Sequence, residues 1–359
     1  MSRMKFNVAV TGLSAGENPC PGIGVIRSLK QEAGENIRII GLTYGLLNGG
    51  VYLDQLVDEV YSVPFPQDDE EKYLSRIREI VKKTKIHAFL PNLDFEIPVL
   101  SGLEADLKDL GIHLLLPSET TLELCKKEKL PRLGELAGIN VPFTVVLWDR
   151  REIVSSASYF TYPFLLKAAT GDGAFVYSLE EAIVFANRLS ANWGWPLIMQ
   201  QYIKGDEFSV AALADRRHEV VGGVCMKKIL KSKNGNTWIG STIKDDNLIK
   251  LVRKIIKKTK WEGPLEMEFI KDSDTRGYFL IEINPRFPSW IELVSKAECN
   301  LPMAAVKIAL SQTVKPFLSY RTGILFARSG MYTTCDVTRL GQLATKEELI
   351  YHGNNHQKN

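Results

Sequence analysis

The stretch GPLEMEFIKDSDTRGYFLIEINPRF, residues 263–287, constrains the chain more than any other. It reads as two strands, Leu265–Lys271 and Gly277–Ile283, joined by a short polar turn around Lys271–Arg276. Side chains alternate between the faces of a strand, so Glu266 and Glu268 share one face of the first strand, and Glu282 and Asn284 share one face of the second. A hairpin can therefore gather Glu268, Glu282 and Asn284. The apolar partners Phe269, Leu280, Ile281 and Ile283 mark strands buried on one or both faces, where carboxylates need a partner. Hard oxygen donors of this kind suit Mg²⁺, with Mn²⁺ as the alternative. Mg²⁺ keeps several waters and also binds substrate phosphates. Arg286 follows and can make a forked contact with a phosphate or a carboxylate. The plain alternative is a solvated hairpin with acidic residues on its wet face.

On either side of this hairpin the chain changes texture. In residues 1–117 the strands Phe6–Thr11, Ile37–Leu42, Val57–Val63, His87–Pro91 and His113–Leu116 alternate with helices. One helix runs through Ile26 and Leu29. Another covers Glu70–Lys83, where Leu74, Ile77, Ile80 and Val81 share a face. This alternation predicts a parallel α/β sheet with crossover helices. Residues 118–318 read as α+β. Ser118 or Thr120 caps a helix carrying Leu122, Leu124, Leu130, Leu133 and Leu136, bent at Pro131. Strands follow at Phe143–Leu147, Tyr162–Ala168, Leu197–Ile203, Glu207–Ala214 and Val220–Met226. Lys227–Asn236 is expected as a mobile basic loop, Leu248–Thr259 as a basic amphipathic helix, and Trp290–Ser311 as one closing helix. Residues 319–359 hold a strand at Gly323–Phe326 and a polar tail, HGNNHQKN, expected to be disordered.

Composition excludes several classes. A net charge of +3 over 359 residues gives no reason to expect a nucleic-acid partner. No apolar run approaches the roughly 20 residues of a membrane helix, and the N-terminus lacks a signal-peptide core. Five scattered cysteines suit a reducing compartment, so a cytoplasmic protein is expected. No C-x-x-C or H-E-x-x-H signals zinc, and no G-x-x-x-x-G-K-[ST] signals a P-loop kinase. The segment Gly12–Gly24 is rich in glycine but lacks the G-x-G-x-x-G order, so it is a weak sign of a dinucleotide and fits a tight structural turn nearly as well.

The run Glu282–Ile283–Asn284–Pro285–Arg286 resembles the E-x-N-P-R motif of the ATP-grasp superfamily, and especially its carbamoyl-phosphate synthase large-subunit and biotin-carboxylase branch. The resemblance spans residues 120–311 or thereabouts. It implies a Rossmann-like N-terminal domain followed by an ATP-grasp fold of two α+β subdomains, with a lid at about residues 140–205. It implies Mg²⁺ held by Glu268, Glu282 and Asn284. Lys127, in CKKEKLPRLGELAG, matches the first phosphate-contacting lysine, and Lys167, in YPFLLKAATGDGAF, matches the second. Gly171 and Gly173 follow as a lid loop. That loop is short, and Ala168 stands where the family has proline. WPLIMQQYIKGDEFSVAAL resembles the hinge strand, with Gln200, Gln201 and Ile203 at the adenine and Glu207 at the ribose.

By this resemblance the activity is that of an ATP-dependent carboxylate–amine ligase working through an acyl-phosphate, with Arg286 and Lys167 acting on the transferred group. The alternatives are a bicarbonate-activating carboxylase or carbamoyl-phosphate-synthase-like subunit, and a nucleotide-binding regulator without turnover. Partners are then ATP, a small carboxylate and an amine, with homodimerisation through the N-terminal domain common in the family. Lys227 and Lys228 are candidates for a loop over the phosphates, and Arg328 is a candidate carboxylate anchor. Each is equally or better read as an ordinary solvated charge.

Overall fold

The computed structural model describes residues 6–14, 19–169, 172–232, 235–330 and 333–351. The tail from His352 onward and Gly171 of the glycine-rich turn lie outside the described residues, as does part of the Gly12–Gly24 segment.

The N-terminal unit is β1 (Phe6–Val10), α1 (Gly22–Ala33), β2 (Ile37–Thr43), β3 (Glu59–Ser62), α2 (Glu70–Lys83), β4 (Ala88–Leu90), α3 (Glu96–Gly102) and α4 (Glu104–Asp109). Strands β3, β2, β1 and β4 lie side by side and parallel. Their side chains are buried on both faces, as a helix-covered parallel sheet requires. The expected strand His113–Leu116 is only a bridge. His113 exchanges backbone hydrogen bonds with His87 and Phe89. Leu114, Leu115 and Leu116 then fill the core instead of pairing.

The Ser118 hydroxyl caps α5 (Glu119–Leu124), accepting from the Thr121 N–H at 3.3 Å. The helix breaks at Cys125–Lys126, earlier than the bend expected at Pro131. Pro131 instead sits in the first turn of α6 (Leu130–Ala137), where its missing N–H has no partner to lose. Next come β5 (Thr144–Leu147), α7 (Glu152–Ala157), β6 (Phe164–Ala168), β7 (Gly173–Val176), α8 (Leu179–Trp193) and β8 (Leu197–Gln201). They make a four-stranded antiparallel sheet in the order β5-β8-β6-β7. Phe164, Leu166, Val176, Leu197 and Met199 face α7 and α8, and the intervening residues face the other way.

The six-stranded sheet contains β9 (Gly205–Ala214), β10 (Val220–Lys231), β11 (Thr237–Ile243), β12 (Gly263–Asp272) and β13 (Tyr278–Asn284), with α9 (Asp246–Thr259) packed on one face. The expected loop Lys227–Asn236 is a correction. β10 continues through Lys231 and pairs with β11, because its lysines find carboxylates on the neighbouring strands β9 and β12. The expected helix Trp290–Ser311 is two helices, α10 (Ile291–Lys296) and α11 (Leu301–Ala309). Pro302 belongs in a first helical turn, and Asn300 caps it by accepting from the Met303 N–H at 3.1 Å. β14 (Leu325–Ala327) completes the sheet beside β11. The chain then returns to the N-terminal unit through α12 (Thr338–Lys346) and β15 (Glu348–Ile350), which pairs antiparallel with β3. Among the described residues no helix is long and apolar enough to cross a membrane.

At the C-terminal edge of the N-terminal sheet, Glu96 ties three strand ends together. It accepts from the Thr11 hydroxyl and the Tyr44 hydroxyl at 2.5 Å each, and from the N–H groups of Asn92 and Leu93 at 2.8 and 3.0 Å. Burial pushes its carboxyl up from 4.5 to about 7, against the pull of these donors. The folded state then binds more protons than the unfolded chain between those two values, so this contribution to stability falls as pH rises through that window and levels off above it. The shift corresponds to roughly 3 kcal/mol. Urea melts of the parent and Glu96→Gln should show their stability difference narrowing, or turning in favour of the variant, from pH 4.5 to pH 7. A difference constant across that range contradicts the assignment.

Candidate active site

A cleft of about 1110 Å³ lies between the four-stranded and six-stranded sheets. The strand period decides what each sheet presents to it. On the four-stranded sheet Lys167, Leu165, Gln200 and Thr144 share the face opposite α7 and α8. Lys167 Nζ donates to Gln200 Oε1 at 2.9 Å. Gly173 is opposite Lys167, and a Cβ there would lie 2.8 Å from Lys167 Cγ, so glycine at this position leaves the lysine its room. Burial lowers the pKa of Lys167, with Lys127 adding to the shift and Glu282 opposing it.

On the six-stranded sheet the register sets Glu268 opposite Glu282 and Glu266 opposite Asn284. The pairing shifts just after Glu268, a bulge of the kind that re-aims side chains. Leu265, Met267 and Phe269 point the other way, into the core under α9. Three carboxylates are therefore held close together, and cations from three directions pair with them. Lys127, on the turn before α6, pairs with Glu282 at 3.1 Å. Lys228, with only 3% of its side chain exposed, pairs with Glu268 at 2.7 Å and approaches Glu207 at 3.8 Å. Arg286 Nη1 lies 3.5 Å from Glu266, and its Nε 3.1 Å from Asp94. Glu266 also accepts from the Trp290 indole at 2.8 Å and the Asn284 amide at 3.3 Å.

Burial raises Glu268, and Glu266 and Glu282 add to the rise against Lys228. Burial also raises Glu282, but Lys127, Lys167 and Arg286 together bring it below the ordinary carboxylate value. For Lys228, burial opposes the charge and the surrounding carboxylates overcome it, holding the ammonium well above its usual pKa.

The structure thus brings Lys127, Lys167, Gln200, Glu268, Glu282, Asn284 and Arg286 to one cleft, with Gln201, Ile203 and Glu207 along the same lining. The Gln201 side chain accepts from the Phe143 N–H at 3.2 Å, so its amide oxygen is spent within the cleft wall. Glu207 is paired with Lys231. Gly205 makes the turn into β9, where a Cβ would fall 2.0 Å from the Lys271 carbonyl oxygen. Arg328 donates to the Ser289 hydroxyl at 2.7 Å, beside a smaller cleft and away from the lysines.

Sequence reasoning gave Lys228 no more weight than a solvated lysine and passed over Asp94 and Asn92. The available signals were weak. Lys228 is one of two adjacent lysines in a strand, and Asn92 and Asp94 directly follow β4 in PNLDFE, at the strand ends where α/β sheets place ligands.

Residues 195–327 match the model of a family described as ATP-grasp in the biosynthetic pathway with Ter operon. Solved structures share the fold. The biotin carboxylase domain of the Hydrogenobacter thermophilus 2-oxoglutarate carboxylase, with MgADP, ADP and bicarbonate, is 19% identical with a TM-score of 0.68, covering 89% of this chain and 73% of that one. An L-amino acid ligase from Bacillus licheniformis is 16% identical with a TM-score of 0.64, over 87% and 76%. An N5-carboxyaminoimidazole synthetase from Staphylococcus aureus is 14% identical with a TM-score of 0.66, over 89% and 81%. Residues 195–327 thus match an ATP-grasp family model, and the paired sheets with the cleft between them are the fold that these solved structures share.

Proposed function

We propose that the chain is an ATP-dependent ligase that joins a carboxylate to an amine through an acyl-phosphate, releasing ADP and phosphate. The observation that carries this reading is the convergence of Glu268, Glu282 and Asn284 with Lys127, Lys167 and Arg286 at one cleft between two sheets. Phosphoryl transfer is chiefly a matter of positioning and of neutralising charge, and this site contains the parts for both.

The donor set fits Mg²⁺. Two carboxylates and an amide are hard oxygen ligands on adjacent strands, with room in the cleft for waters and phosphate oxygens. Asn284 spends its Nδ2 on Glu266, which leaves its oxygen for a cation. A bound Mg²⁺ would neutralise the phosphates and polarise the transferred group. Lys127 and Lys167, now turned to Glu282 and Gln200, carry the charge that phosphate oxygens would take over. Gln200, Gln201 and Ile203 would line the adenine, and Glu207 would accept from the ribose hydroxyls. Arg286 would steady the carboxylate or the phosphoryl group in transit. Lys228 donates to Glu268, holding it in place and favouring its charged form against burial.

The test is phosphate release with Mg-ATP across small carboxylates and amines, singly and in pairs. Release that needs one carboxylate and rises with one amine supports the ligase. Release driven by bicarbonate points to the carboxylase alternative, and tight Mg-ATP binding without turnover to a regulator. Glu282→Gln and Asn284→Ala should each cut substrate-dependent release by at least about tenfold while leaving the melting temperature near that of the parent. Unchanged turnover removes them from the metal set. Lys167→Ala should weaken Mg-ATP binding by about tenfold, the scale of one charge-assisted contact. Calorimetry showing equal affinity removes Lys167 from the phosphate site.

A further inference from the structure

A second cleft, of about 200 Å³, lies between the N-terminal unit and the β12–β13 hairpin, with Cys20, Asn92 and Asp94 on one side and Arg286, Ser289 and Trp290 on the other. It is smaller than the roughly 300–1,000 Å³ of pockets for drug-sized ligands, and it opens onto the larger cleft, sharing Asp94, Asn236, Glu268, Glu282, Asn284 and Arg286 with it.

Two independent features suit it to a nitrogen donor. Asn92 is 1% exposed. Its Nδ2 donates to the carbonyl oxygens of Thr11 and Leu90, at 3.3 and 2.8 Å. Both of those partners are acceptors, which fixes the amide orientation and makes Oδ1 the acceptor Asn92 has left to offer. That oxygen is buried and receives no hydrogen bond from the described residues. Native proteins leave few buried acceptors unused. The second feature is Asp94, whose side chain is 57% exposed and whose carboxylate lies 3.1 Å from Arg286 Nε. On this side of the cleft an entering cation meets the Arg286 guanidinium. Asp94 offsets that charge and offers further lone pairs.

We propose that the small cleft receives the amine substrate, that this substrate is a small primary amine arriving as its ammonium ion, and that Asn92 Oδ1 and Asp94 accept hydrogen bonds from its nitrogen. The proposal rests on the ligase reading and adds the position and charge class of the second substrate. It places the amine on the N-terminal side of Glu268 and Glu282, with the nucleotide in the larger cleft.

Hydroxylamine separates the two claims, because it captures an acyl-phosphate as a hydroxamate and is small enough to do so without an anchored ammonium. The full chain is first assayed for hydroxamate formation with Mg-ATP and a panel of small carboxylates, then for phosphate release with the same carboxylate and each standard amino acid as the amine. Asp94→Asn keeps an oxygen for Arg286 but loses the charge, at a position exposed enough to leave folding intact. It should raise the amine KM at least tenfold, and by several times more than it changes the carboxylate KM or the hydroxamate rate. Asp94→Glu should recover part of the loss. An unchanged amine KM overturns the proposal and leaves the ligase reading standing. A raised carboxylate KM with an unchanged amine KM also overturns it, by giving the cleft to the other substrate. Hydroxamate from no carboxylate overturns the ligase reading and this proposal with it.

Discussion

Three carboxylates that cannot be left unpaired dominate this structure. Glu266, Glu268 and Glu282 lie on adjacent strands of one hairpin, and burial works against the charge of each of the last two. Like charges held so close in a poorly solvated place require cations. The surrounding fold supplies them from separate parts of the chain: Lys127 from the turn before α6, Lys167 from the four-stranded sheet, Lys228 from β10, and Arg286 from the loop after β13. The charge arrangement thus ties the sheets together around one cleft.

The packing beneath explains how the arrangement is held. The face of β12 opposite the carboxylates is seated on α9, and Glu266 is gripped by Trp290, Asn284 and Arg286. Arg286 reaches on to Asp94, which carries the network into the N-terminal unit. There Glu96 fastens the ends of β1, β2 and β4, and the same segment presents Asn92 to the small cleft. The return of β15 to β3 closes the chain onto its first sheet.

The hairpin was legible in the sequence because strand alternation pairs Glu266 with Glu268 and Glu282 with Asn284, and a short turn between the strands can bring Glu268, Glu282 and Asn284 together. Lys167 was legible because an apolar strand ends in it and a glycine follows. Lys228 was not, because only the register of β10 against β9 and β12 shows that it meets Glu268 and Glu207. Asn92 and Asp94 were hidden for a related reason: Asp94 meets Arg286, 192 positions away, and Asn92 is held by Thr11, 81 positions away. The single helix predicted over Trp290–Ser311 failed at Asn300 and Pro302, where a cap and a first-turn proline start a new helix inside a continuous apolar pattern. The loop predicted at Lys227–Asn236 failed because its charges looked solvated, whereas partner strands neutralise them.

The central claim is that the cleft transfers the γ-phosphoryl group of ATP to a carboxylate oxygen. Isotope tracing tests it most directly. The substrate carboxylate is labelled with ¹⁸O in both oxygens, one turnover cycle is run with Mg-ATP and the amine, and the released phosphate is analysed by mass. Passage through an acyl-phosphate puts one ¹⁸O from the carboxylate into each phosphate released. Phosphate carrying oxygen only from ATP and solvent would mean that the carboxylate never received the phosphoryl group, and would contradict the account.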